Sequence, residues 1–242
     1  MREISDLNVK QIHIFATDRI PFAPLRTPVG QKALVELFSW GEIGANPAVG
    51  ELIFKAGAFQ PKEGPPIIVN NLQISDRRIV LDVAAETEKA TLVYSALAET
   101  LARFDVSRRW TDAAPIVLVH ETNCVVTMEF EWSSLLSSPI LQFAQVLNSR
   151  FSSDTADASI AGVKCGIVFS FAVKHASIQA HGITLTNKVF AIEPRVSTPL
   201  SEKRYRTCSP VDSSTHLALL RDFEALVMGR LRRKKGTPES LK

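Results

Sequence analysis

The sequence predicts an α+β protein, a mostly antiparallel, twisted sheet with about three principal helices packed on it, mainly on one side. Three observations lead there. Pro66 to Phe104 reads in succession as strand, tight turn, strand and amphipathic helix. A strand-then-helix order occurs three times, at Arg77 to Phe104, Val125 to Phe151 and Lys203 to Leu231, and a strand pair can hide one sheet face under one helix. The first two of these end in the similar triplets Ala102-Arg103-Phe104 and Ser149-Arg150-Phe151, which leaves open two pseudo-repeated halves meeting near 105–114.

The central stretch carries the strongest local signals. Pro66 to Ile74 and Arg77 to Val83 are two β-branched runs flanking Ser75-Asp76, the pattern of a hairpin. Ile79, Leu81 and Val83 share one face and Arg78, Val80 and Asp82 the other, so the sheet should be covered on the Ile79 side. In the helix that follows, Ala90, Val93, Tyr94, Leu97, Leu101 and Phe104 step by three and four, a stripe that only a packed partner hides from water. Thr87 is the expected N-cap, with Glu86 and Glu88 suited to the positive helix end.

The flanking elements follow in order. Val9 to Ala16 reads as a first strand. Arg19 to Gly30 holds three prolines, which remove backbone donors and forbid a regular ladder; its Phe22 and Leu25 either pack on the body or meet a partner. Gln31 to Trp40 is ambiguous and leans to strand, and Glu51 to Phe59 is a strand. Asp105 to Ala114 is a connector with Arg108-Arg109-Trp110, where Trp110 either caps the core or stacks on a ligand.

Pro115 to Val119 and Val125 to Trp132 read as a second strand pair turning at Glu121-Thr122-Asn123, with Glu129 and Glu131 on one face as a hydrated pair or an acid-base pair. Ser138 and Pro139 open a helix with the stripe Ile140, Phe143, Ala144, Leu147 and Phe151. Its outer residues Gln142, Gln145, Asn148 and Ser149 are uncharged, which suits burial against a partner. Ser152 to Gly162 is a loop of small residues.

Val163 to Val173 is apolar on both faces and reads as a central strand, with Ile183 to Glu193 as its neighbour. Lys203 to Ser209 is expected as a basic edge strand. Asp212 to Thr215 offer caps for a last helix with Leu219, Leu220, Phe223, Leu226, Val227 and Leu231 on its apolar face and His216 partly buried near its start.

Composition limits the function classes. A chain of 242 residues that is 45% hydrophobic can bury a large core, expected here as a single domain over 1–229. No apolar run reaches bilayer length, and Met1 to Asp6 lack the apolar core of a secretory signal, so a soluble, cytoplasmic protein is expected. Cys124, Cys165 and Cys208 are odd in number and lack metal-finger spacing, which suggests reduced thiols. His175 and His181, five apart without a third ligand, make a poor metal site, and neither metal nor cofactor is expected.

Net charge is +3, yet Arg230, Arg232, Arg233, Lys234, Lys235 and Lys242 less Glu239 put +5 in the last thirteen residues and leave −2 on the body. Residues 230–242 thus form a basic tail, expected to be flexible. No Gly-rich phosphate loop, dinucleotide fingerprint, Gly-x-Ser-x-Gly elbow, His-Glu-x-x-His or kinase set occurs. The leading expectation is a non-enzymatic interaction or assembly subunit of a cytosolic complex, using a surface among Phe22, Leu25, Trp110, Gln142 and Gln145. One alternative is a nucleic-acid-associated protein that contacts phosphates through Arg230, Arg232, Arg233, Lys234 and Lys235. The other is an enzyme that pairs Cys124 or Cys165 with His120 or His175.

Overall fold

The computed structural model describes residues 1–16, 19–46, 50–105, 110, 114–154, 165–171, 188–195 and 198–236. Nine strands form one antiparallel sheet: β1 (Glu3–Ile14), β2 (Glu42–Asn46), β3 (Glu51–Phe59), β4 (Ile67–Ile74), β5 (Arg78–Val83), β6 (Val117–Thr127), β7 (Ile167–Phe171), β8 (Lys188–Pro194) and β9 (Arg204–Ser209). Their order is β2-β3-β4-β5-β1-β6-β9-β8-β7, so β1 and β6 sit in the middle. The α-helices among the described residues are α1 (Phe22–Leu25), α2 (Pro28–Phe38), α3 (Thr87–Ala102), α4 (Ser138–Asp154) and α5 (Ser213–Gly236). The class is α+β, with four helices longer than two turns among the described residues where the sequence suggested about three.

The β4–β5 hairpin forms as its residues predict. The Ser75 amide donates to the Arg78 carbonyl at 2.9 Å, and the Arg78 amide donates to the Ser75 hydroxyl at 3.1 Å. Ile79, Leu81 and Val83 are fully buried, and Ala90, Val93, Leu97 and Leu101 of α3 lie on them in one apolar core. Val80 on the opposite face is also buried, at 4% exposure, so that side of β5 is not simply wet.

Val9 and Thr122 are cross-strand partners at the centre, and residues of their parity face the helices. His13 of β1 stacks on Tyr94 of α3, while Cys124 and Val126 of β6 share a second core with Leu220 and Val227 of α5. α3 and α5 therefore cover the same face. On the other face Ile14 and Val117 form a small third cluster with Ile12, Ile116 and Val119 around them.

Several strand and helix expectations are corrected. Gln31 to Trp40 is not a strand: α2 spans Pro28–Phe38, its N-cap Thr27 accepting from the Gly30 amide at 3.3 Å, with Pro28 at the first position and Ser39 ending it in the left-handed region. Gly30 is required there, because a Cβ would lie 2.4 Å from the Pro24 carbonyl oxygen and 2.6 Å from the Leu25 Cα. Next, β6 is one unbroken strand; Glu121-Thr122-Asn123 pair with Lys10, Val9 and Asn8 rather than turning. Glu129 and Glu131 lie past its end and share no strand face.

Among the described residues β7 is the terminal strand of the sheet, not a central one, and its side chains are largely exposed. Apolar residues on both faces do not by themselves specify two covered faces. β9, expected at an edge, runs between β6 and β8. The expected cap residue Thr87 is the first residue of α3, with Glu86 as N-cap and no side-chain capping bond from it.

Candidate functional site

The proposed partner-surface residues divide. Leu25 is 0% exposed and Trp110 is buried, both in the first core. Trp110 is fixed there by its indole N–H donating to the Ala98 carbonyl at 3.0 Å and by a 5.2 Å ring contact with Phe15. As binding surface these two are corrected: apolar bulk in a proline-rich loop and a connector closes the end of the protein's own core. Phe22 packs partly against the same core. Gln142 and Gln145 of α4 are exposed.

The apolar side of α4 is exposed as well. Phe143 is 62% exposed and Ile140 and Val146 are open too, as are Val168, Phe169 and Phe171 on β7. The side chains of Ala144 and Phe151, completing the expected stripe, fall outside the described residues. A helix stripe and a sheet edge of this kind, both in the C-terminal half of the chain, are what sequence patterning could not reveal. The pattern marks an apolar face without saying whether the chain itself covers it.

The structure gathers one thiol and one imidazole. Cys124 Sγ lies 3.4 Å from His216 Nε2 and 3.2 Å from Thr207 Oγ1, and Thr207 Oγ1 lies 2.9 Å from His216 Nε2. The reactive groups are thus less dispersed than expected. Residue type alone points to the cysteine but not to this histidine, because the contact depends on the β6–β9 register and on α5 crossing it. All three side chains are fully enclosed. Burial lowers the His216 pKa to about 4 and, against a Thr207 hydrogen bond, raises the Cys124 thiol. The pair at neutral pH is a thiol and a neutral imidazole, not the thiolate–imidazolium pair that nucleophilic catalysis uses.

The other candidate histidine, His120, lies opposite Gln11 on β1 rather than beside a cysteine. Burial lowers its pKa, opposed by the charge of Asp212. It belongs to a polar cluster under α3. His13 stacks on Tyr94 with ring centroids 3.7 Å apart, its Nε2 sits 3.3 Å from Gln11 Oε1, and Gln11 donates to Thr91 Oγ1 at 3.0 Å. Burial, then the His120 charge, lowers the His13 pKa to about 4. Cys165 is half-buried with no contact to these groups among the described residues. His175, His181, Arg108 and Arg109 lie outside the described residues.

The starts of α3 and α5 are tied reciprocally. The Thr87 amide donates to Ser213 Oγ at 3.0 Å, and the Ser213 amide donates to Thr87 Oγ1 at 2.8 Å. Each hydroxyl satisfies an orphan donor of the other helix. Asp212 caps α5, accepting from the Thr215 amide at 2.9 Å. At its far end α5 continues through Gly236, so the backbone of Arg230, Arg232, Arg233, Lys234 and Lys235 is helical and not an irregular tail.

Among the described residues no group of three or more metal-ligating side chains forms, and no helix is long and apolar enough to cross a membrane. No protein-family model matches the chain. No curated protein sequence matches it either.

Proposed function

We propose that this chain is a non-enzymatic interaction or assembly subunit of a cytoplasmic multi-protein complex, and that it docks through α4 and β7. The observation that supports this reading is the exposure of Ile140, Phe143 and Val146 on one element and Val168, Phe169 and Phe171 on another. Exposed apolar side chains on two elements favour contact with a partner, and a strand that is terminal among the described residues is a place where a second strand can add.

Element order gives a second line of support. The chain runs strand, helix, strands, helix twice: β1, α2, β2 to β5, α3, and then β6, α4, β7 to β9, α5. We read these as two pseudo-repeated halves, mirrored in the strand order about β1 and β6 and joined by the Thr87–Ser213 exchange. In the first half α2 buries Leu34 and Phe38 in a core with Trp40, Phe54 and Phe59. In the second, Ile140 and Phe143 of α4 stand exposed, and an outside protein surface is the cover we assign to them.

The test is light scattering of the purified chain, alone and with candidate partner chains, against Phe143→Glu and Phe169→Glu variants. Self-association or complex formation that both substitutions abolish supports the reading. A strict monomer that forms no complex counts against it.

A second reading, nucleic-acid association, rests on the helical presentation of Arg230 to Lys235. Four to five phosphate contacts from such a helix end give a log-log salt slope of roughly −4 on duplex DNA. Removing the residues after Gly229 should abolish binding of that kind, and salt-insensitive binding that survives truncation would end this reading.

A further inference from the structure

One offset carries the end of the first half of the chain onto the end of the second. β5 and α3 begin at Arg78 and Thr87, β9 and α5 at Arg204 and Ser213, and both pairs of starts stand 126 residues apart. Each strand is six residues long, and the two helix starts hold each other through their own hydroxyls. Position by position, Val93, Leu97 and Thr100 of α3 therefore correspond to Leu219, Phe223 and Leu226 of α5.

The side chains at these positions are larger on α5 and less covered. Val93, Leu97 and Thr100 are all buried, and α2 packs beside α3 with its Leu34 and Phe38 in the same apolar core as Val93 and Leu97. On α5, Leu219 is 41% exposed and Leu226 74%, while Phe223 is half-buried with its ring 5.9 Å from that of Phe130. A stripe that the first half closes over is open in the second.

The spacing sets the shape that fits it. Leu219, Phe223 and Leu226 are four and three apart, so they form one ridge along the helix. Ala218, Ala225 and Gly229 beside the ridge are exposed and small, and a Cβ on Gly229 would meet nothing within 4 Å. Large apolar side chains next to small ones give a ridge and a groove, the relief with which a second helix meshes at an axis separation of about 8 to 10 Å.

α4 carries the matching relief. Its Ile140 and Phe143 are exposed and three apart, and the neighbouring Gln142 and Gln145 are exposed and uncharged. Their amides can donate to the carboxylate of Asp222, which lies exposed along the α5 face. In the single chain Phe143 and Leu226 are both mostly exposed, so neither surface closes over the other. A second copy supplies the missing member of each pair: under a two-fold axis α4 of each copy meets α5 of the other, and both contacts form at once.

We propose that two copies of this chain associate by seating α4 of each on the Leu219, Phe223 and Leu226 stripe of the other. This rests on the reading of α4 as a docking element and of the halves as pseudo-repeats, and it adds the identity of the partner.

The experiment is sedimentation velocity of the full chain over a range of concentrations, for the parent, Leu226→Glu and Phe143→Glu. A reversible dimer is expected, its dissociation constant raised roughly hundredfold by either substitution, since each puts a charge into an apolar contact. Both side chains are exposed in the single chain, so the variants should fold, which circular dichroism checks. Mixing the two variants should recover part of the association, because the mixed pair keeps one of its two contacts unaltered. To read the contact directly, a copy with Phe143→Cys and a copy with Leu226→Cys, both also Cys165→Ser and Cys208→Ser, are mixed and treated with a short bismaleimide; Cys124 is buried, and a cross-linked pair of chains is expected. A parent that stays monomeric, a dimer that Leu226→Glu leaves intact, or a link that forms only within a chain carrying both new cysteines would overturn the proposal. Binding of a different protein that is lost in Phe143→Glu but kept in Leu226→Glu would also overturn it, while leaving the docking role of α4 standing.

Discussion

Lowering the pH from 7.5 to 5 should destabilise this protein well before its carboxylates begin to titrate, and the reason is two enclosed imidazoles. His13 and His216 both have ordinary values of 6.5 that fall to about 4 in the fold. Each has a buried Nδ1 with no hydrogen-bond partner, so a proton there would meet neither acceptor nor water. The unfolded chain binds the protons that the folded chain refuses, and stability drops as pH falls through 6.5 and goes on dropping to about 4.

At pH 5 the difference is worth about 2 kcal/mol per histidine, or about 4 kcal/mol for the two if they act independently. For a chain of this size that corresponds to a melting temperature lowered by roughly 8 to 16 °C. The groups around them do not offset this. His120 near His13 also has a lowered pKa, and the hydroxyl and thiol beside His216 are neutral. Glu121 and Asp212 have pKa values below the ordinary carboxylate range, so their stabilising contributions are kept throughout this window and lost only in stronger acid.

The assay is urea unfolding at pH 7.5, 6.5, 5.5 and 5 for the parent, His13→Phe and His216→Gln. Each substitution should flatten the profile by about 2 kcal/mol between the ends, whatever it does to absolute stability. A parent whose stability is unchanged from pH 7.5 to 5, or variants with the parent's slope, would refute the assignment of these two groups as buried and neutral.

Thr87→Ala and Ser213→Ala each remove one of the two exchanged helix-start bonds and should cost about 1 kcal/mol apiece in denaturant unfolding. Gly30→Ala should destabilise by roughly 1 to 3 kcal/mol although alanine is the better helix former, since its methyl meets the Pro24 and Leu25 backbone. Phe143→Glu and Phe169→Glu should leave unfolding free energy within about 0.5 kcal/mol of the parent, which a chemical melt checks independently of any effect on association. Cys124 should resist alkylation in the native state and react only as fast as the protein opens, with half-buried Cys165 and Cys208 reacting earlier; mass spectrometry of partly labelled protein gives the order.

The stretches that were legible in the sequence are those whose instructions are local. Ser75-Asp76 sets a tight turn between β4 and β5, the three-and-four spacing of Ala90 to Leu101 sets α3, and Asp212 starts α5. These depend on turn chemistry, helix period and capping, all confined to a few neighbouring residues. Thr27-Pro28 carry the same kind of signal for α2, and Gln31 to Leu37 are mostly good helix formers, so this helix too was written in local terms. The candidate site was half legible: Cys124 could be named from its residue type, but its histidine was misassigned and the exposure of Leu219 and Leu226 could not be seen.

By itself, then, the sequence determined the α+β class, the central hairpin and the helices that follow it, because their hydrogen bonds and apolar stripes close within short spans of chain. Only the tertiary structure decided that β6 runs unbroken, that β9 lies inside the sheet and that β7 lies at its edge. Strand order is made by backbone donors and acceptors that every residue carries alike, so side-chain alternation reports which faces are apolar but not which strand pairs with which. The meeting of Cys124 with His216 and of Lys188 with Glu121 follows from that order, across 92 and 67 residues of chain.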